Sequence, residues 1–259
     1  MTDHLALYAT ATRYTLIEHA RNRFAMLLVA LFLPVWTSLV YLVVPDTPAR
    51  MRLRSTGELL APPGNQLTQI TGALNAITLI TGFMMFAATF SGHTFDRRLV
   101  LAGYPRTHLV LAKVTALILA SLTVAAYATA VTRWTWAPRQ PLLLMAAYFT
   151  AAMTYGALGV GFGAVLRREV EGMFALTMTS VLDIALQNPI ISSGANSAII
   201  RFLPSYGAIQ TGTAAGFSTT APSRYLAVQL AWFTAAALAS MLAFHLRTRD
   251  PLHTRLQPL

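Results

Sequence analysis

Six apolar stretches, each close to the length that an α-helix needs to cross a bilayer, recur along this chain of 259 residues. They lie at 24–44, 67–91, 109–131, 142–166, 172–186 and 225–246. A helix rises 1.5 Å per residue, so a hydrocarbon core about 30 Å thick is crossed by roughly 20 apolar residues. Backbone in hydrocarbon must satisfy its own polar groups, which makes helices of such runs. Composition agrees: 55% of residues are hydrophobic and 11% are charged, against about 25% charged in an average soluble domain. The spans and short connections use nearly the whole length. The expected fold is therefore one all-α integral membrane domain over residues 1–259.

The charges give an orientation. The 18 arginines and one lysine outweigh nine acids, for a net charge of +10. In a soluble chain that excess would point to nucleic acid. Here the cations cluster at span ends, where they meet anionic lipid and set topology, so membrane lipid and not nucleic acid is the expected partner. With the N-terminus inside, inner segments hold Arg13, Arg21, Arg23, Arg97, Arg98, Arg106, Lys113, Arg167, Arg168, Arg247, Arg249 and Arg255. Outer segments hold Arg50, Arg52, Arg54, Arg133, Arg139, Arg201 and Arg224. Cytoplasmic loops are the richer in Lys and Arg, so both termini are expected in the cytoplasm. Polar residues run to Arg23 before the first apolar stretch, which is long enough to span, so a cleavable signal peptide is not expected.

Several local features refine this plan. Leu7, Ala11, Tyr14 and Ile17 recur at helical spacing within 3–22, which reads as an interfacial helix on the cytoplasmic leaflet or as a solvated tail. Pro34 falls inside the first span, where a missing N–H kinks a helix. Prolines 45, 48, 62 and 63 mark a loop that carries Arg50, Arg52 and Arg54, either solvated or turned toward anionic lipid or substrate. The second span holds Gln69 and Asn75, polar groups that seek partners in a bundle or line a wet path. Gly159 and Gly163, four residues apart in the fourth span, let two helix backbones approach closely. Asp183 is an acid inside a span: a lining of a substrate path with Asn75 and Gln187, a partner of Arg201 or Asn75, a proton relay, or a residue at the outer surface. From 187 to 224, prolines and glycines break the chain into pieces too short to cross, expected to dip into the outer leaflet and return.

Catalytic chemistry finds little support. A phosphate-cradling G-x-x-x-x-G-K-[ST] loop is absent, since the single lysine, Lys113, follows Leu-Val-Leu-Ala. The six histidines lie in or beside cytoplasmic segments and no H-E-x-x-H occurs, so no metal site is expected. With no cysteine, disulfides, thiolate metal sites and thiol catalysis are excluded. The chain is expected not to be an enzyme, and an ATP-driven role would need a partner.

One segment is not apolar although it lies between two long apolar runs. Residues 93–113 carry Arg97, Arg98, Arg106 and Lys113 against Asp96. By itself this is a topology-fixing cytoplasmic loop. Its order, however, is Asp96-Arg97-Arg98, then the stretch 99–103, then Tyr104-Pro105-Arg106, with Lys113 as the third span begins. Proline-punctuated pieces follow the fifth span: Asn188-Pro189-Ile190-Ile191 and Phe202-Leu203-Pro204-Ser205-Tyr206. This arrangement resembles the type-two ABC transporter permeases, the membrane subunits of drug, lipid and glycan exporters. Many of those carry a glutamate and a glycine-threonine pair early in the coupling segment; here only Asp96 stands there, after Gly92-His93-Thr94.

The resemblance implies six transmembrane helices, an N-terminal interfacial helix and re-entrant outer helices before the last span. It also implies a bacterial inner-membrane or plasma-membrane location. Phe95, Asp96, Arg97, Arg98, Leu99, Tyr104, Pro105 and Arg106 would couple to a separate ABC ATPase subunit. That subunit would carry the ATP and Mg, and this chain would hold no cofactor. A second permease chain would complete the exporter, and its cargo would be an amphipathic drug-like molecule or lipid, as in antibiotic efflux. The alternative is a motorless six-span binding, immunity or scaffold protein.

Overall fold

A computed structural model describes residues 2–54, 57–192, 195 and 197–247. The molecule is nearly all helix. The elements are α1 (Thr2–Arg21), α2 (Arg23–Leu27), α3 (Leu33–Val43), a two-stranded hairpin of β1 (Met51–Arg52) and β2 (Leu59–Leu60), α4 (Gly64–Leu101), α5 (Arg106–Thr135), α6 (Pro141–Val165), α7 (Glu169–Gln187), α8 (Tyr206–Phe217) and α9 (Ser223–Arg247). Among the described residues five stretches are long and apolar enough to cross a membrane, Ala25–Val43, Gly64–Gly92, Arg106–Thr135, Pro141–Val165 and Ser223–Ala243, and the expected run at 172–186 is not one of them.

α6 is the hub, and small residues put it there. A Cβ on Gly159 would lie 2.3 Å from the Gly82 carbonyl of α4, and one on Gly163 would lie 2.9 Å from the Phe86 carbonyl. Only glycine permits that approach, so two backbones meet where side chains usually intervene. The other side of α6 meets α9, where Ser240 donates to the Ala157 carbonyl at 2.7 Å. Around this hub Ile70, Leu74, Ile77, Val124, Leu144 and Tyr148 form a continuous buried core.

The contacts give each helix a direction. Gly82 meets Gly159 and Phe86 meets Gly163, so α4 and α6 run parallel. Thr154 bonds Gln229 and Ala157 bonds Ser240, so α6 and α9 also run parallel. Asn75 bonds Ser180 while Phe86 packs on Gly172, so α4 and α7 are antiparallel. Because α6 and α9 point the same way, the chain must travel back along the bundle between them. α7 makes that journey.

The helix continues through Pro34, and a wider five-residue turn, Leu28–Phe32, precedes it. The Ala30 carbonyl, whose usual helical donor would be residue 34, accepts instead from the Tyr127 hydroxyl at 3.3 Å. Residues 93–101, read from the sequence as a cytoplasmic segment beyond the second span, are the last turns of α4.

Candidate functional site

The basic segment forms the end of a helical hairpin. α4 stops at Leu101 by a glycine turn: the Gly103 N–H bonds the Val100 carbonyl and the Tyr104 N–H bonds the Leu99 carbonyl, at 3.1 and 2.9 Å. Gly103 has φ of +90°, a conformation that glycine adopts without steric cost. Pro105 then prevents the helix from resuming until Arg106 opens α5. No separate helix lies across this end among the described residues; two long helices and a four-residue turn make it.

The expected coupling residues divide between inside and outside. Asp96 faces inward, is 7% exposed and forms a salt bridge with Lys113 across the hairpin. Tyr104 is half-buried and its hydroxyl donates to the Leu7 carbonyl of α1 at 2.6 Å. Leu99 and Pro105 are half-buried. Of these four, Asp96 is buried and Leu99, Tyr104 and Pro105 are each partly accessible. The outward face holds Phe95 and Leu101, each 65% exposed, with Arg98 and Arg106 also exposed. The side chain of Arg97 lies outside the described residues. Leu101 was not singled out from the sequence, although its place in the last turn of α4 puts it beside the tip.

α1 braces the same end. The Tyr8 hydroxyl bonds Thr115 at 2.6 Å, and His4 stacks on His108 with ring centroids 5.3 Å apart. His19 reaches Met85 at 3.3 Å. A solvated tail is thereby replaced by a helix seated on α5. The sequence stripe is only partly the seat, because Tyr14 is 68% exposed.

The second cluster surrounds Asp183, which is 2% exposed. One carboxyl oxygen accepts from the Tyr155 hydroxyl at 2.6 Å and the Ser205 N–H at 2.9 Å. The other accepts from Gln187 Nε2 at 2.7 Å. Ser205 is the residue immediately before α8, so the carboxyl group caps that helix from another element, where the helix dipole favours it. Asn75 donates to Ser180 at 3.1 Å, Thr78 shares the same hydroxyl at 2.7 Å, and Asn188 donates to Thr71 at 2.9 Å. Asn75, Asp183 and Gln187 therefore join α4, α6, α7 and the start of α8 by hydrogen bonds. Asp183 bonds Tyr155, Gln187 and Ser205, and no bond to Arg201 or Asn75 is seen among the described residues.

Gln229 was missed from sequence. Its side chain accepts from the Ala208 N–H at 2.9 Å and donates to Thr154 at 2.8 Å, tying α8 to α6 and α9. A lone glutamine in the final apolar run was its one visible signal. No protein-family model matches this chain, and no curated protein matches it.

Proposed function

We propose that the chain is the six-pass membrane subunit of an exporter driven by a separate ABC ATPase, with an amphipathic drug-like molecule or lipid as cargo. In this reading α7 is a sixth crossing. Its 19 residues extend about 28 Å, close to the roughly 30 Å hydrocarbon core. The parallel course of α6 and α9 supports it, because an intervening crossing is then required. α8 is a re-entrant helix: its 12 residues start beside Asp183 and Gln229 and end at the turn between α5 and α6, where Gln140 N–H bonds the Ala215 carbonyl. α1 lies at the cytoplasmic interface, both termini are cytoplasmic, and a second copy or similar chain completes the exporter.

The observation that carries the coupling role is the α4–α5 hairpin end. α4 has 38 residues, so it is about 57 Å long, nearly twice the hydrocarbon core. Its end offers exposed Phe95, Arg98, Leu101 and Arg106, apolar and cationic side chains of the kinds that protein interfaces use. The Asp96–Lys113 bridge and the glycine turn stiffen that end, so that force applied at the tip moves two crossing helices together.

The test is reconstitution with a P-loop ATPase that co-purifies with this chain. Replacing Phe95 and Leu101 with Ala should lower ATP-driven export by about tenfold or more, the loss expected for an interface anchor, while membrane insertion stays unchanged. Undiminished export would refute the docking role. Failure of any ATPase to co-purify with the wild-type chain would favour the motorless scaffold.

A further inference from the structure

At the end of the bundle opposite the α4–α5 hairpin, a pocket of about 530 Å³ is lined by Arg52, Arg54, Arg201, Arg224, Tyr206 and Tyr225. The four arginines come from three separated parts of the chain, and the lining contains no carboxylate. Local structure explains how they converge. Residues 50–54 alternate Arg, Met, Arg, Leu, Arg, and strand periodicity sends alternate side chains to opposite faces. Leu53 is fully buried and anchors the hairpin, with its N–H on the Glu58 carbonyl at 2.8 Å. Arg52 and Arg54 flank Leu53, and all three line the pocket.

Arg54 is held in place. Its guanidinium donates to the Ala195 carbonyl at 3.1 Å and lies 6.0 Å from the centroid of the Tyr206 ring. Tyr206 in turn packs edge-on against Tyr225, with centroids 5.6 Å apart. Arg224 stands in the first turn of α9, and Arg201 stands in the short helix Ile199–Phe202. Gathering four guanidinium groups costs mutual repulsion, which a bound anion removes. The planar fork of arginine matches phosphate oxygens in pairs, and four forks suit a phosphoryl group better than a single carboxylate.

The surroundings indicate what carries that phosphate. Val228 completes one wall of the pocket. Below it α9 continues as an apolar helix long enough to cross a membrane, with Leu230 half exposed along the way. A ligand with a phosphorylated head and an apolar tail would meet arginines at its head, tyrosine rings at its neck and α9 along its tail. We infer that this pocket binds the phosphorylated headgroup of an anionic membrane amphiphile. The inference requires the bundle to sit in a membrane but does not rest on the exporter reading, since no motor enters it.

The experiment uses the full chain in nanodiscs. Lipid retention is read by native mass spectrometry for discs of phosphatidylglycerol and of phosphatidylcholine, and inorganic pyrophosphate binding is read by calorimetry. The wild type should retain phosphatidylglycerol in preference to phosphatidylcholine, and added salt should weaken that preference. Arg201→Gln and Arg224→Gln, both at exposed positions, should each lower anion affinity by about tenfold, the loss expected for one charge-assisted hydrogen bond. Arg133→Gln and Arg139→Gln, outside the pocket, should leave it unchanged. Retention of phosphatidylglycerol without pyrophosphate binding would identify the source as membrane lipid; pyrophosphate binding without lipid preference would identify a soluble phosphate. Equal retention of the two lipids with no pyrophosphate binding, or equal losses from the control variants, would overturn the site.

Discussion

Asp183 illustrates how a buried acid can serve architecture. Three donors from three places reach it: the Tyr155 hydroxyl, the Gln187 amide and the Ser205 N–H. Removing Tyr155's hydroxyl leaves a buried carboxyl oxygen with one fewer donor. Tyr155→Phe should therefore lower folding stability by about 1.5–3 kcal/mol, the range for hydrogen bonds to charged groups. Thermal unfolding in detergent would show this, and an unchanged midpoint would refute the capping role. Asp96 and Lys113 form a second inward-facing pair, with side chains 10% and 17% exposed. Asp96→Ala removes the carboxylate partner of Lys113 and should cost about 1–3 kcal/mol. The loss should be smaller when Lys113 is replaced by Met in the same chain, because the ion pair is then already gone. A double-mutant cycle on thermal stability checks this. That Asp183 needed a partner was legible in the sequence, since a buried acid in a span demands one. Which partner it took was not, because Tyr155 lies 28 positions away on another helix.

Among the elements, α6 depends most on the absence of side chains. The approach of Gly159 to the Gly82 carbonyl is to backbone, which cannot swing aside as a flexible side chain can. Gly159→Val should separate α4 from α6 and cost about 1–3 kcal/mol or more, the usual range for overpacking. Gly57→Val provides the contrast, since no atom lies within 4 Å of an added Cβ there and only its left-handed backbone, φ +75°, resists substitution. Comparing the unfolding midpoints of the two variants separates packing from backbone strain. The spacing of Gly159 and Gly163 announced a close helix contact, but Gly82 on the facing helix gave no comparable signal. α4 teaches the opposite lesson. Its charged end reads as a loop by hydropathy, yet helix formation does not require apolar residues once α5 and α1 supply packing. The boundary at Leu101 is set by Gly103 and Pro105, whose backbone preferences are local and could be read directly.

For the molecule as a whole, the proposed topology makes a sharp prediction, and the lack of native cysteines makes it simple to test. Single cysteines at Arg106 and Glu171 should react with impermeant reagent from one side of the membrane, and those at Arg50, Arg139 and Thr219 from the other. All five positions are exposed. If Thr219→Cys were labelled from the same side as Glu171→Cys, α7 would not cross and the termini would lie on opposite sides. Six apolar stretches were read from composition and length, and five of them are helices long and apolar enough to cross a membrane among the described residues; such runs are legible because the cost of exposing backbone to hydrocarbon depends on no particular partner. Direction along the bundle, the inward fate of Asp96 and Asp183, and the convergence of four arginines on one pocket came from the folded molecule. Each depends on which helices lie side by side, and that choice is made by side chains far apart in the chain meeting at a few ångströms.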